Sequence, residues 1–125
     1  MRSFAAGVLL VLMSPAVAQN LSRTQPVELA CAGEIQNFAQ PELTRPANDI
    51  YVRIEQQSVR VVGDILSGEF PIALENESVL VFSKPPLLGN LYRYSGEISI
   101  SDRPADENKV RWMFTGKCSK PKPLF

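Results

Sequence analysis

Apolar and polar residues alternate with a period of two over most of the chain, and no segment after residue 18 reads as a helix longer than one turn. Val27, Leu29 and Cys31 alternate with Glu28, Ala30 and Ala32 ahead of Gly33, the pattern of a half-buried strand. Gln36 to Asp49 carries Pro41 and Pro46 without a convincing period, which predicts a long loop, either a binding element or a crossover. Ile50, Val52 and Ile54 alternate with Tyr51, Arg53 and Glu55, and Gln56-Gln57 then turns the chain into Val59–Val62, predicting a hairpin that Gly63-Asp64 ends. Phe70–Leu74 and Val79–Phe82 flank Glu75-Asn76-Glu77-Ser78 and predict a second hairpin with a central, nearly all-apolar return strand.

Ser83 to Asn90, with Pro85-Pro86 and the apolar pair Leu87-Leu88, reads as a loop. From Leu91 to Asp102, Tyr92, Tyr94, Gly96, Ile98 and Ile100 share one parity and Arg93, Ser95, Glu97, Ser99 and Ser101 the other. This predicts one long strand bent at Gly96, with a turn at Ser95-Gly96 as the alternative. After a turn through Arg103–Asn108, Val110, Trp112, Phe114, Gly116 and Cys118 form one face of the last strand; Arg111, Met113, Thr115 and Lys117 form the other. The fold class is all-β: a small antiparallel barrel or sandwich of seven to eight strands, with no internal repeat.

The N-terminus changes the picture of where this sheet folds. Arg2 precedes the apolar stretch Phe4–Met13, then Ser14-Pro15, then the small residues Ala16-Val17-Ala18, an export signal with cleavage expected after Ala18. Ten apolar residues rise about 15 Å as a helix, half the roughly 30 Å hydrocarbon thickness, so this is no membrane span. The expected organisation is a signal peptide over 1–18, a flexible lead-in over 19–26, a single β domain over 27–118 and an extended tail over 119–125. The expected location is a bacterial periplasm or the medium. The two cysteines are then expected to form one disulfide. Parity agrees: Cys31 shares a face with Val27 and Leu29, and Cys118 with Trp112 and Phe114, so both thiols point into the core and tie the first strand to the last.

Composition narrows the chemistry. The chain has 13 basic and 13 acidic residues, and loss of Arg2 with the leader leaves a deficit of one positive charge, which supplies no long-range attraction for nucleic acid. There is no histidine, the side chain most used for acid/base catalysis and transition-metal binding near neutral pH. No catalytic set, metal site or cofactor is expected. Catalysis would fall to carboxylates such as Glu28, Asp64, Glu97 and Asp102. Asp102, Asp106 and Glu107 lack the alternating ligands and glycine of a calcium loop and read as a solvated acidic turn. Tyr92, Tyr94, Trp112 and Phe114 are candidate core or pocket aromatics. Tyr51 and Met113 are candidate binding residues because they oppose their strands' apolar faces, and Leu87-Leu88 is a candidate docking pair or a cap on the open end of a barrel. The expected function is non-catalytic binding of a protein or small ligand; the alternatives are an inhibitor of an envelope hydrolase and a carboxylate-dependent enzyme.

Cys31-Ala32-Gly33, the stretch Gly89-Asn90-Leu91-Tyr92-Arg93-Tyr94-Ser95-Gly96, and Phe114-Thr115-Gly116-Lys117-Cys118 with the Lys/Pro tail ending in Leu124-Phe125 resemble small exported alphaproteobacterial proteins with no assigned activity. The resemblance covers the last third of the chain and the first cysteine, and its G-x-L-x-R-x-S-G core implies a family rather than an activity. The chain is more weakly similar to periplasmic C-type lysozyme inhibitors, small β-barrels with one cysteine in an early strand and another near the end. That similarity implies a barrel and an inhibitory role, and assigns no inhibitory residue.

Overall fold

Alternation of this kind buries one face of every strand, and a curved sheet that hides all those faces must close on itself. The computed structural model, which describes residues 23–103 and 110–121, is such a barrel. Its strands are β1 (Val27–Asn37), β2 (Arg45–Ile54), β3 (Ser58–Val62), β4 (Gly68–Glu75), β5 (Val79–Lys84), β6 (Leu87–Tyr92), β7 (Glu97–Asp102) and β8 (Trp112–Ser119). Each pairs antiparallel with the next, and β8 pairs with β1 to complete the ring. Between the two candidate architectures, the barrel is the one adopted. The leader with its cleavage site at Ala18, residues 19–22 of the lead-in, Asp106 and Glu107, and residues 122–125 of the tail lie outside the described residues.

The seam between β1 and β8 carries the disulfide. Cys31 and Cys118 are direct cross-strand partners with Cα atoms 4.0 Å apart, and both are buried. Inside the ring, Ile35, Ile50, Val52, Val59, Val61, Leu80, Phe82, Ile98, Ile100 and Phe114 form one continuous core. Phe70 and Phe82 meet edge to face with centroids 5.5 Å apart. A Cβ at Gly89, directly opposite Phe82, would lie 2.1 Å from its ring, so the missing side chain is the space the phenyl ring occupies. The phenyl rings of Phe70, Phe82 and Phe114 are 0–1% exposed. With these rings and apolar side chains from every strand packed in one cluster, side chains fill the interior, as eight strands allow.

Two bulges reset the parity. Between β1 and β2 the register passes from Cys31↔Ile50 to Gly33↔Ala47, so β2 holds an extra residue at Asn48-Asp49 and both face out. In β4 the register passes from Ile72↔Phe82 to Leu74↔Val81, which turns Leu74 outward and sets Glu75 opposite buried Leu80.

Three sequence expectations change. The predicted long strand over Leu91–Asp102 is instead two strands, because Gly96 adopts a left-handed φ of 78° and its N–H donates to the Tyr92 carbonyl, closing a turn. Leu91 then pairs with Ile98 inside the barrel and Tyr92 faces out. The predicted loop over Ser83–Asn90 is a tight turn at Pro85-Pro86, joined by a cis peptide bond, with strand on both sides from Lys84↔Leu87 inward. The expected loop over Gln36–Asp49 shrinks to residues 38–44, around a single 3-10 turn at Pro41–Leu43.

Candidate functional site

With the interior occupied, chemistry is confined to the barrel ends and the outer wall. At one end lie the longer connections 38–44 and 63–67, together with the Pro85-Pro86 turn and with Arg103 and Arg111, which flank β7 and β8. Here Asp102 closes β7 with both register partners, Leu87 and Trp112, packed against the core, so all three face inward. Among the described residues Asp102 is the one buried charged residue, 3% exposed. Its Oδ2 accepts from Arg111 Nε and Nη2, each at 2.8 Å, while Oδ1 is buried with no partner among the described residues. At the same end, Arg45 pairs with Asp64; their hydrogen bond and charge hold the Asp64 carboxyl below the ordinary range and raise Arg45. Leu66, from a second 3-10 turn at Asp64–Leu66, is fully buried beneath.

The outer wall offers a second arrangement. On β2 and β3, Tyr51 and Val62 stand directly opposite each other and are 52% and 53% exposed, a large apolar pair facing solvent. Next to them runs a charged row across four strands, Glu28, Arg53, Arg60 and Glu69, each opposite the next. Arg53 reaches Glu28 at 2.8 Å and Glu55 at 3.1 Å; Arg60 reaches Glu69 at 3.3 Å. Pro121 leans in from beyond β8 and, with Glu28, Leu29, Tyr51, Val52, Arg53, Arg60 and Val62, lines a groove of about 200 Å³. This groove is the candidate functional site.

Tyr51, singled out from parity, lies in the groove. Met113 is partly buried on the outer side of β8, across from Gln36 and Ser101, away from it. Leu87 and Leu88 point to opposite sides: Leu87 packs against the core at the long-connection end, and Leu88 is 39% exposed on the outer wall of β6. The aromatic quartet is dispersed. Phe114 is core, Trp112 is partly buried at the long-connection end, and Tyr92 and Tyr94 are exposed at the other end. Of the four carboxylates weighed for catalysis, Glu28, Asp64 and Asp102 are each held by an arginine, and Glu97 is exposed opposite Lys117. Among the described residues no group of three acidic or cysteine side chains is placed to hold a metal ion.

The G-x-L-x-R-x-S-G segment proves to be a folding element. Gly89 admits the Phe82 ring, Leu91 is core, Arg93 bonds Glu75, the Ser95 hydroxyl accepts from the Glu97 N–H, and the Gly96 carbonyl accepts from the Cys118 N–H at 2.7 Å. The residues that the sequence reading missed are Arg60, Arg23 and Glu75. Arg23 reaches back to the Glu55 carbonyl and the Glu75 carboxylate, whose inward turn depends on a bulge that no residue type announces. Arg60 was visible as the polar residue opposite Arg53 in the first hairpin. No family model, curated protein or solved structure matches the chain.

Proposed function

We propose that this chain is a non-catalytic, exported binding protein that meets its partner on the outer wall of the barrel, at the Tyr51–Val62 groove. The observation that carries the reading is the exposed apolar pair beside a groove, on a barrel whose interior has no room for a ligand. Export is supported by the leader and by the disulfide, which suits an oxidising compartment. Apolar side chains inside and charged rows outside are the reverse of a membrane-spanning barrel, which favours a water-soluble protein. The capture of three of the four candidate carboxylates by arginine favours binding over carboxylate catalysis.

Site-specific photo-cross-linking tests the reading. A cross-linker at position 51 is compared with one at position 88, four strands around the ring on the opposite wall. In exporting cells the expected result is a discrete adduct from position 51 and none from 88; the reverse result, or none from either, overturns the assignment. A second reading, inhibition of an envelope hydrolase, is supported by the agreement between this disulfide-closed barrel and the architecture implied by the resemblance to C-type lysozyme inhibitors. Stoichiometric loss of lysozyme activity on adding the purified protein would select it.

A further inference from the structure

We propose that the short-turn end of the barrel is a recognition site for an arginine side chain on an extended polypeptide, filled in the free protein by the chain's own Arg23 and taken by a partner's arginine when the lead-in lifts away. The site shares no residue with the Tyr51–Val62 groove. Its chemistry is displayed by the occupant. Arg23 donates through Nη1 to the Glu55 carbonyl and through Nη2 to Glu75 Oε2, and its own carbonyl accepts from Gln56 Nε2. The end thus recognises both a guanidinium fork and the peptide group that carries it, and the Arg23 and Glu75 side chains are only 12% and 11% exposed. A lysine offers no planar fork to span acceptors on two different strands.

The acceptors are set by bonds that do not involve Arg23. The Gln57 carbonyl accepts from the Ile72 N–H at 3.0 Å, which fixes the β2–β3 turn against β4. Asn76 Oδ1 accepts from the Ser78 and Val79 N–H groups at 2.8 and 2.9 Å, which pins the β4–β5 turn. Arg93 holds Glu75 from the β6–β7 turn at 3.2 Å, and its backbone N–H donates to the Ser78 carbonyl. A socket framed in this way keeps its shape when its occupant leaves. The occupant is held less firmly. Val27 opens the β1 ladder opposite Ile54, residues 23–26 ahead of it belong to no strand, and Pro26 has no N–H to donate. Exchange of one arginine for another leaves the charges around Glu75 unchanged, so a partner needs no unanswered charge to enter. Tyr92 and Tyr94, on either side of Arg93 in sequence, are 47% and 85% exposed and offer contact area to the residues beside an entering arginine.

The experiment titrates the isotope-labelled chain, unchanged and with Arg23→Ala, with acetyl-Ser-Arg-Thr-Gln-amide, which copies residues 22–25, and with versions carrying citrulline or Lys in place of Arg. In the Arg23→Ala chain the Arg peptide should shift the amides of residues 55–56, 75 and 92–94 and bind more tightly than the other two. The unchanged chain should bind it about three- to tenfold more weakly, because the tethered Arg23 competes at roughly millimolar effective concentration. At saturation the peptide should also speed solvent exchange of the Thr24 and Gln25 amides in the unchanged chain, a readout that does not depend on the variant's folding. Absence of shifts at residues 55–56 and 75, equal binding of the three peptides, equal affinity of the two chains, or a lead-in unmoved at saturation overturns the inference. A concentration-dependent dimer of the unchanged chain that Arg23→Ala dissolves overturns it in favour of Arg23 exchanged between copies. Cross-linking at position 51 decides the groove separately.

Discussion

The two ends of the barrel solve one problem with different reserves. Each has an inward carboxylate where the apolar core gives way to solvent: Asp102 beside the long connections, and Glu75 beside the short turns. Among the described residues Asp102 has Arg111 alone, bound through one oxygen, while the other oxygen stays buried without a partner there. Glu75 has two arginines, Arg23 from the segment ahead of β1 and Arg93 from the β6–β7 turn, and the same end carries the disulfide and the Cys118–Gly96 hydrogen bond. Glu75 is thus redundantly held, whereas Asp102 depends, among the described residues, on a single arginine. A buried charge with one partner is the more vulnerable arrangement, because removing that partner leaves the desolvation penalty uncompensated.

Breaking the disulfide should give the largest effect. The cysteines are 87 residues apart, for which the chain-entropy relation gives about 4.5 kcal/mol. Cys31→Ser with Cys118→Ser should therefore lower the unfolding free energy by about 2–5 kcal/mol in urea titrations. It should also raise hydrogen exchange first around Gly96 and Cys118, erasing the advantage of the short-turn end.

Single arginine deletions sharpen the contrast. Arg111→Ala, which strands Asp102, should destabilise by about 2–3 kcal/mol, below the full range for a buried pair because the arginine is itself half exposed. Arg23→Ala, which leaves Glu75 with Arg93, should lower stability by about 1 kcal/mol. Equal losses in urea denaturation would remove the distinction between the ends.

The smallest effect concerns Arg45–Asp64. Arg45 holds the folded-state pKa of Asp64 below its ordinary value, chiefly through their hydrogen bond, so the pair contributes above the unfolded pKa of about 4 and is lost as pH falls through the lower folded value. Asp64→Asn keeps a residue that tolerates the positive φ of 49° at this position. The gap in melting temperature between wild type and this variant should be small at pH 6 and should close as the pH is lowered below about 4.

Much of the barrel is legible in the sequence because strand parity is a local signal. Ile50, Val52, Ile54, Val59, Val61, Phe114 and Cys118 all face inward as their alternation implies, and shared parity places the two cysteines at one seam. Legibility fails where backbone geometry resets the count. Gly96 takes a left-handed conformation, so Tyr92 and Tyr94 fall outside although they match Ile98 and Ile100 in parity. The bulges at Asn48-Asp49 and in β4 shift later residues by one position, which is why neither the inward Glu75 nor its hold on Arg23 could be read from type and spacing. The groove is half legible: Tyr51 stands out as an aromatic on a polar face, whereas its juxtaposition with Pro121 depends on closure of the ring.

The pairing of Ala30 with Ser119 brings the beginning and end of the described domain out side by side at the short-turn end. In a topological sense the polypeptide is a circle cut at that point, and the cut could be moved to the Pro85-Pro86 connection without removing any strand pairing or the Cys31–Cys118 bond. Whatever is fused ahead of β1 or behind β8 therefore leaves the molecule from the same pole. The opposite pole faces away from that point of attachment, as the head of a tethered particle does.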